Sequence, residues 1–357
     1  MKSRLYSIEP IGIRTKFTES ISSYLIRLSE EHCVAPKHLI LKEIVPYVYR
    51  NENIDTTGVK SISNFLSHSN SQPAINGMKD KTETIINALE ALTLQKDLKY
   101  LSCLAWKGVI KDGNLFRRSK AWCPCCFEQW KQEQKPIYEP LIWSFKDVQF
   151  CTQHFCKLVF QCPHCKSQLK AIANKARIGF CYHCGKWLGQ EKSENKEIID
   201  NLEEHLYISM GIGKLISIVP DLQFPLILSN LIKKLQLIHF YFELYSAKNY
   251  RTIGLTQNMY RIRMQLRILT MRNSNRPINL IDLIIPCCRH ANLDIADFFN
   301  ENLDSLGRLI AKSLDVFPDK FHLYTNINLE HVPGDVYIPG RFVWSIDGVE
   351  VDMPKYL

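Results

Sequence analysis

The chain has 357 residues, 46% of them hydrophobic and 23% charged, enough for two or three domains around a sizeable buried core. Lysine and arginine outnumber aspartate and glutamate by 45 to 36, a net charge of +9 that admits an anionic partner without naming one. Apolar runs such as "LISIV" (215–219) are too short to span a bilayer and no apolar stretch follows "MKSRLYSIEP", so a cytoplasmic protein is expected and a membrane or secreted one is not.

Near the start, "ESISSYLIRLSEE" (19–31) places Ile21, Tyr24, Leu25 and Leu28 on one helical face, with Thr18 as its N-cap. Pro36 opens a second helix carrying Leu39, Ile40 and Ile44. Helix, short turn, helix is the pattern of a helix-turn-helix unit, although any αα-hairpin shares it. "SISNFLSH" (61–68) predicts a short helix. "SNSQPAINGMKD" predicts a loop, and Asp80 and Glu83 open a helix with Ile85, Ile86, Leu89 and Leu92 on its apolar face. These elements make up an N-terminal helical domain over 1–118, ending in "NLFRRSKAWCP". Arg117, Arg118 and Lys120 there read as solvated bases, with phosphate contact as the alternative.

The middle, 119–190, repeats one spacing four times: Cys123–Cys126, Cys151–His154, Cys162–Cys165 and Cys181–Cys184. Two ligands separated by two residues converge on one cation from a single turn, and two such pairs complete a tetrahedral zinc site. A redox dithiol needs only one pair, and in a reducing compartment thirteen cysteines do not form a disulfide framework. Pairing in chain order gives one site of Cys123, Cys126, Cys151 and His154, and a second of Cys162, Cys165, Cys181 and Cys184. Both are closed, so two structural zinc ions per chain are expected, each contributing on the order of 10 kcal/mol to folding. Cross-braced pairing, as in a RING, is disfavoured because seven residues separate His154 from Cys162. Cys125, Cys156, His164 and His183 read as packing or exposed neighbours of the ligands. Cys33, Cys103, Cys287 and Cys288 read as small buried hydrophobes.

After Gly189 a charged linker, "QEKSENKEIIDNLEE", leads into a helical C-terminal domain over 191–357, broken at Pro220, Pro225, Pro277 and Pro286. Between Glu243 and Asp282 there is no acid but there are seven bases, among them Arg261, Arg263 and Arg267 in "MYRIRMQLRILTMR". This is either a basic helix edge for nucleic acid or an acidic partner, or a solvated face. "RFVWSIDGVEV" predicts a small terminal hairpin turning at Asp347-Gly348. The fold class is therefore mainly α, with a tandem zinc-finger or zinc-ribbon middle. No Gly-rich phosphate loop, GxSxG, HExxH or paired carboxylate motif occurs, so no enzyme is expected.

The string "RRSKAWCPCCFEQW…LIWSFKDVQFCTQHFCKLVFQCPHCKSQL" resembles the TniQ/TnsD family of transposon target-selection proteins: a W-C-P-x-C turn, then L-x-W-x-F, C-x-x-H and C-P-x-C. "ESISSYLIRLSEEHCV" is similar to the family's E-S-x-S-S-Y-x-x-R-L segment, and the resemblance spans about 5–190. Cys125 is a departure from it. The resemblance implies a non-enzymatic role in Tn7-like transposition, bridging a recognised target to an AAA+ transposition regulator. One branch binds an attachment site on DNA directly. The other works with an RNA-guided CRISPR effector carrying its guide RNA, which delegates sequence reading to pairing. Chain length favours the second branch, and the helical remainder after residue 190 favours an effector of the Cascade type. Target DNA backbone and a second copy of the chain complete the expected partners.

Overall fold

The computed structural model describes residues 3–52, 74–191, 202–222, 226–248, 262, 265, 277–314, 343–346 and 349–352. They divide into two compact units, Met1–Phe317 and Pro318–Leu357. The first is helical: α1 (Ile21–Glu31), α2 (Pro36–Leu39), α3 (Val45–Glu52), α4 (Asp80–Thr93), α5 (Pro124–Gln132), α6 (Leu202–Ile218), α7 (Leu228–Lys248), α8 (Ile285–His290), α9 (Ile295–Asn300) and α10 (Leu303–Ser313). The second unit contains β1 (Val343–Ile346) and β2 (Val349–Asp352), antiparallel with Ile346 opposite Val349, which is the expected terminal hairpin.

The apolar face of α1 is as its spacing predicts. Ile21, Tyr24, Leu25 and Leu28 are all fully buried, each side chain contributing about 1.5–3 kcal/mol of burial. The cap differs from expectation. Ser20, not Thr18, closes the helix, its Oγ accepting from the Ser23 amide at 3.2 Å. The Thr18 hydroxyl is already spent on the preceding turn, donating to the carbonyls of Gly12 and Thr15.

Two prolines that ought to stop helices are absorbed instead. Ile40–Ile44 is a π turn leading into α3, whose second residue is Pro46. Leu280–Ile284 is a π turn leading into α8, whose second residue is Pro286. A helical proline has no amide to donate, and its ring strikes the carbonyl four residues back; widening the preceding turn relieves both conflicts. Pro286 is therefore a bulge, not the break that the sequence suggests. The expected helix over 61–68 lies outside the described residues.

Among the described residues two large apolar cores organise the first unit, beside a small third cluster of Ile26, Ala176 and Ile178. One joins α1, α2, α3 and α4 through Leu28, Leu39, Val48, Ile85 and Leu89. The other is continuous from Trp106 and Trp122 through Phe127 and Trp143 to Ile212, Leu235 and Phe298, so middle and C-terminal segments share it. Helix α6 approaches closely here: a Cβ on Gly213 would lie 2.8 Å from Cβ of Lys16 and 3.3 Å from Cδ1 of Ile142. Boundaries at 118 and 190 both fall inside this unit. We propose the three-part division as one of modules within it, which limited proteolysis tests. Among the described residues no helix is long and apolar enough to cross a membrane.

Candidate metal centres

Three of the four ligand pairs sit on the same turn. In each, the residue after the second ligand is left-handed: Phe155, Lys166 and Gly185, with φ of 53°, 59° and 72°. Its amide donates to the carbonyl of the first ligand, from Phe155 to Cys151 at 2.9 Å, Lys166 to Cys162 at 2.9 Å and Gly185 to Cys181 at 2.8 Å. The first ligand's amide then donates onward, to the carbonyls of Cys156, Ser167 and Lys186. The chain thus doubles back around the pair and aims both donor atoms inward. The fourth pair uses a helix end. Cys123 is the N-cap of α5, Pro124 fills its first position, and Cys126 lies in the first turn with its amide donating to Cys123 Sγ at 3.4 Å.

These turns bring the eight expected ligands into the two expected groups. The donor atoms of Cys123, Cys126, Cys151 and His154 lie within 4.8 Å of one another, as do those of Cys162, Cys165, Cys181 and Cys184. Zinc bonds of about 2.3 Å to sulfur and about 2.0 Å to nitrogen at tetrahedral angles give edges of about 3.8 Å between sulfurs and about 3.5 Å from sulfur to nitrogen. In the first group Cys126 and Cys151 sulfurs are 3.6 Å apart, and His154 Nδ1 lies 3.6, 3.3 and 3.7 Å from Cys123, Cys126 and Cys151. In the second, Cys162–Cys184 and Cys165–Cys181 are both 3.7 Å. Both groups could hold a metal ion, and their donors fit zinc.

Burial separates the groups. All three cysteines of the first are buried, whereas Cys165 and Cys184 of the second are exposed. His154 is also oriented from outside: its Nε2 lies 3.0 Å from Gln129 Oε1 on α5. An Nε2–H donated to that amide oxygen leaves the Nδ1 lone pair for a metal, the usual outer support of a ligating imidazole. His164 and His183 stay outside both groups, His164 Nε2 being 3.3 Å from the Trp187 carbonyl. Cys103, Cys287 and Cys288 are buried as expected, but Cys33 is exposed at the left-handed end of α1.

A buried polar network ties the N-terminal helix to this region, and sequence reasoning missed it. Glu19 is fully buried, paired with Arg27 at 2.5 Å, and accepts from the Ser23 hydroxyl at 2.8 Å and the Ile11 amide at 3.2 Å. Burial outweighs these partners and pushes its carboxyl up to about 7. Asn76 accepts from the Ser22 amide and donates to the hydroxyls of Ser22 and Ser144. The Ser23 hydroxyl accepts from the Glu139 amide at 3.0 Å, and Glu139 forms a buried ion pair with Lys120 at 2.6 Å. The polar letters of E-S-x-S-S-Y-x-x-R-L are therefore internal fastenings. Leu141, Trp143 and Phe145 of L-x-W-x-F are buried apolar anchors.

The expected anion-binding residues scatter. Arg117 points inward, donating to the Val148 carbonyl and lying 4.5 Å over the Phe160 ring. Its neighbour Arg118 is exposed, whereas Lys120 faces neither water nor phosphate: it is buried in its ion pair with Glu139. Arg261, Arg263 and Arg267 lie outside the described residues.

No curated protein matches the chain. Residues 10–158 match the family model described as TniQ. That span holds Glu19 and its network, the L-x-W-x-F anchors and the whole first ligand group, and it ends before Cys162. Over that span the chain carries a TniQ domain, the domain of proteins that select targets for Tn7-like transposition.

Proposed function

We propose that the protein is a non-enzymatic target-selection adaptor, linking an RNA-guided CRISPR effector of the Cascade type to the AAA+ regulator that recruits the transposase. The observation that carries this reading is the family match over 10–158, coinciding with a domain whose signature residues are spent on internal structure. Such a domain is built to present a surface rather than to turn over a substrate. Zinc, one ion in each four-ligand group, supplies folding energy there, with all four positions taken by protein and none left for a reacting water. Helices α1 and α2 are the proposed N-terminal helix-turn-helix. Guide pairing supplies sequence specificity, while the protein adds contacts to target DNA backbone and a second copy of the chain. Co-precipitation with the neighbouring AAA+ regulator and effector, with and without DNA, tests the proposal. Retention of both partners by the full chain in the absence of DNA is expected. Loss of both, with DNA retained, would overturn it.

A second reading, direct recognition of an attachment site, is favoured by α9 and α10. The two are joined by only Glu301 and Asn302. Helix α10 buries Leu306 and Ile310 while leaving Arg308 and Lys312 exposed one turn apart. Such a pair of bases would suit contact with DNA if the helix enters a groove. Sequence-selective DNA binding by the isolated chain, lost on Arg308→Ala, would decide for it.

A further inference from the structure

Cys125 and Cys156 belong to no pair in the ligand spacing, yet the fold gathers them at the first metal centre. Cys156 Sγ lies 3.4 Å from Cys123 Sγ and 3.8 Å from Cys125 Sγ. The three sulfurs are all within 4.8 Å of one another. Thiolates around one zinc ion stand about 3.8 Å apart, so this trio has coordination spacing of its own. Its placement uses elements that already serve the first centre. Cys125 precedes Cys126 in the first turn of α5. Cys156 is returned to the site by the left-handed Phe155, its carbonyl accepting from the Cys151 amide at 2.9 Å. Cys125 is buried and Cys156 half-buried.

Charge does not oppose filling the trio. One dication held by three thiolates and a neutral imidazole leaves a net charge of −1. Two more thiolates and a second dication add −2 and +2, so the enlarged cluster stays at −1 and no further charge is buried. Binding releases the thiol protons of Cys125 and Cys156 to solvent.

We propose that Cys123, Cys125 and Cys156 hold a second zinc ion, with the Cys123 thiolate bridging it to the ion of the first centre. The lobe is then a binuclear thiolate centre, and the chain carries three zinc ions. The added ion keeps one position free of protein ligands, on the half-buried Cys156 side. This proposal rests on the reading that the first group holds zinc.

The test is the metal content of the full chain purified under reducing conditions, by elemental analysis against sulfur. Three zinc ions per chain are expected, falling to two in Cys125→Ser/Cys156→Ser with unchanged circular dichroism. Cadmium-loaded protein is expected to show two coupled cadmium resonances that share Cys123, the coupling lost in the double variant. Two zinc ions in both proteins would overturn the proposal and leave the two-site reading standing. A Cys125–Cys156 disulfide, seen as a mass two hydrogens lighter with two zinc ions bound, would also overturn it. Fewer than two zinc ions in the parent chain would overturn both.

Discussion

Gln129 shows how much of the first metal centre lies beyond its ligands. It receives His154 Nε2 at 3.0 Å and the Gln153 amide at 3.0 Å, and itself donates to Glu133 at 2.7 Å. Replacing it with Ala frees the imidazole to rotate. Affinity at the first centre should fall about tenfold in chelator competition, while the second centre stays unchanged. Glu19 makes a separate prediction. Burial lifts its folded pKa to about 7, above the ordinary glutamate value of 4.5, so the folded state holds the proton more tightly than the unfolded chain. The stability this contributes is fully present below about pH 4.5 and is lost as pH rises through about 7. Denaturant unfolding of Glu19→Gln should therefore show a flatter pH profile across that window, by on the order of 3 kcal/mol relative to the parent chain. Comparing the two proteins cancels the loss of metal at low pH that both share.

The turn that carries three ligand pairs explains which features were legible in the sequence. The ligand spacing is local, because two donors on one turn must be two residues apart, so all eight positions could be read directly. The left-handed residue that follows was legible only at Gly185, where glycine announces it; Phe155 and Lys166 hide the same conformation behind side chains. A non-glycine residue pays about 1–2 kcal/mol for it, partly offset by the greater freedom glycine has when unfolded. Lys166→Gly should accordingly raise stability by about 0.5–1 kcal/mol, and Gly185→Ala should lower it by a similar amount, both measured by denaturant unfolding of metal-loaded protein. The π turns before Pro46 and Pro286 were illegible for a related reason. A proline signals conflict with the helix, but not whether the chain resolves it by stopping or by widening one turn.

At the scale of the molecule, long-range polar pairs hold the N-terminal helices to the metal-bearing middle. Glu139 donates its amide to Ser23 across 116 residues of sequence and pairs in the interior with Lys120. No periodicity or spacing reports such partners, which is why Lys120 could be noticed only as one more base before the first cysteine. Lys120→Met should destabilise the chain by about 3–5 kcal/mol, because it strands the Glu139 carboxylate in the core. Lys120→Met with Glu139→Gln should recover most of that loss, as thermal unfolding would show. If the protein is the adaptor proposed above, the same continuity couples its metal centres to whatever surface the partner meets. The most direct test of a metal-framed adaptor is capture of the AAA+ regulator by the full chain as purified, after stripping with a chelator, and after zinc is restored. Capture that disappears on stripping and returns with zinc is the predicted result; equal capture with and without metal would contradict the account.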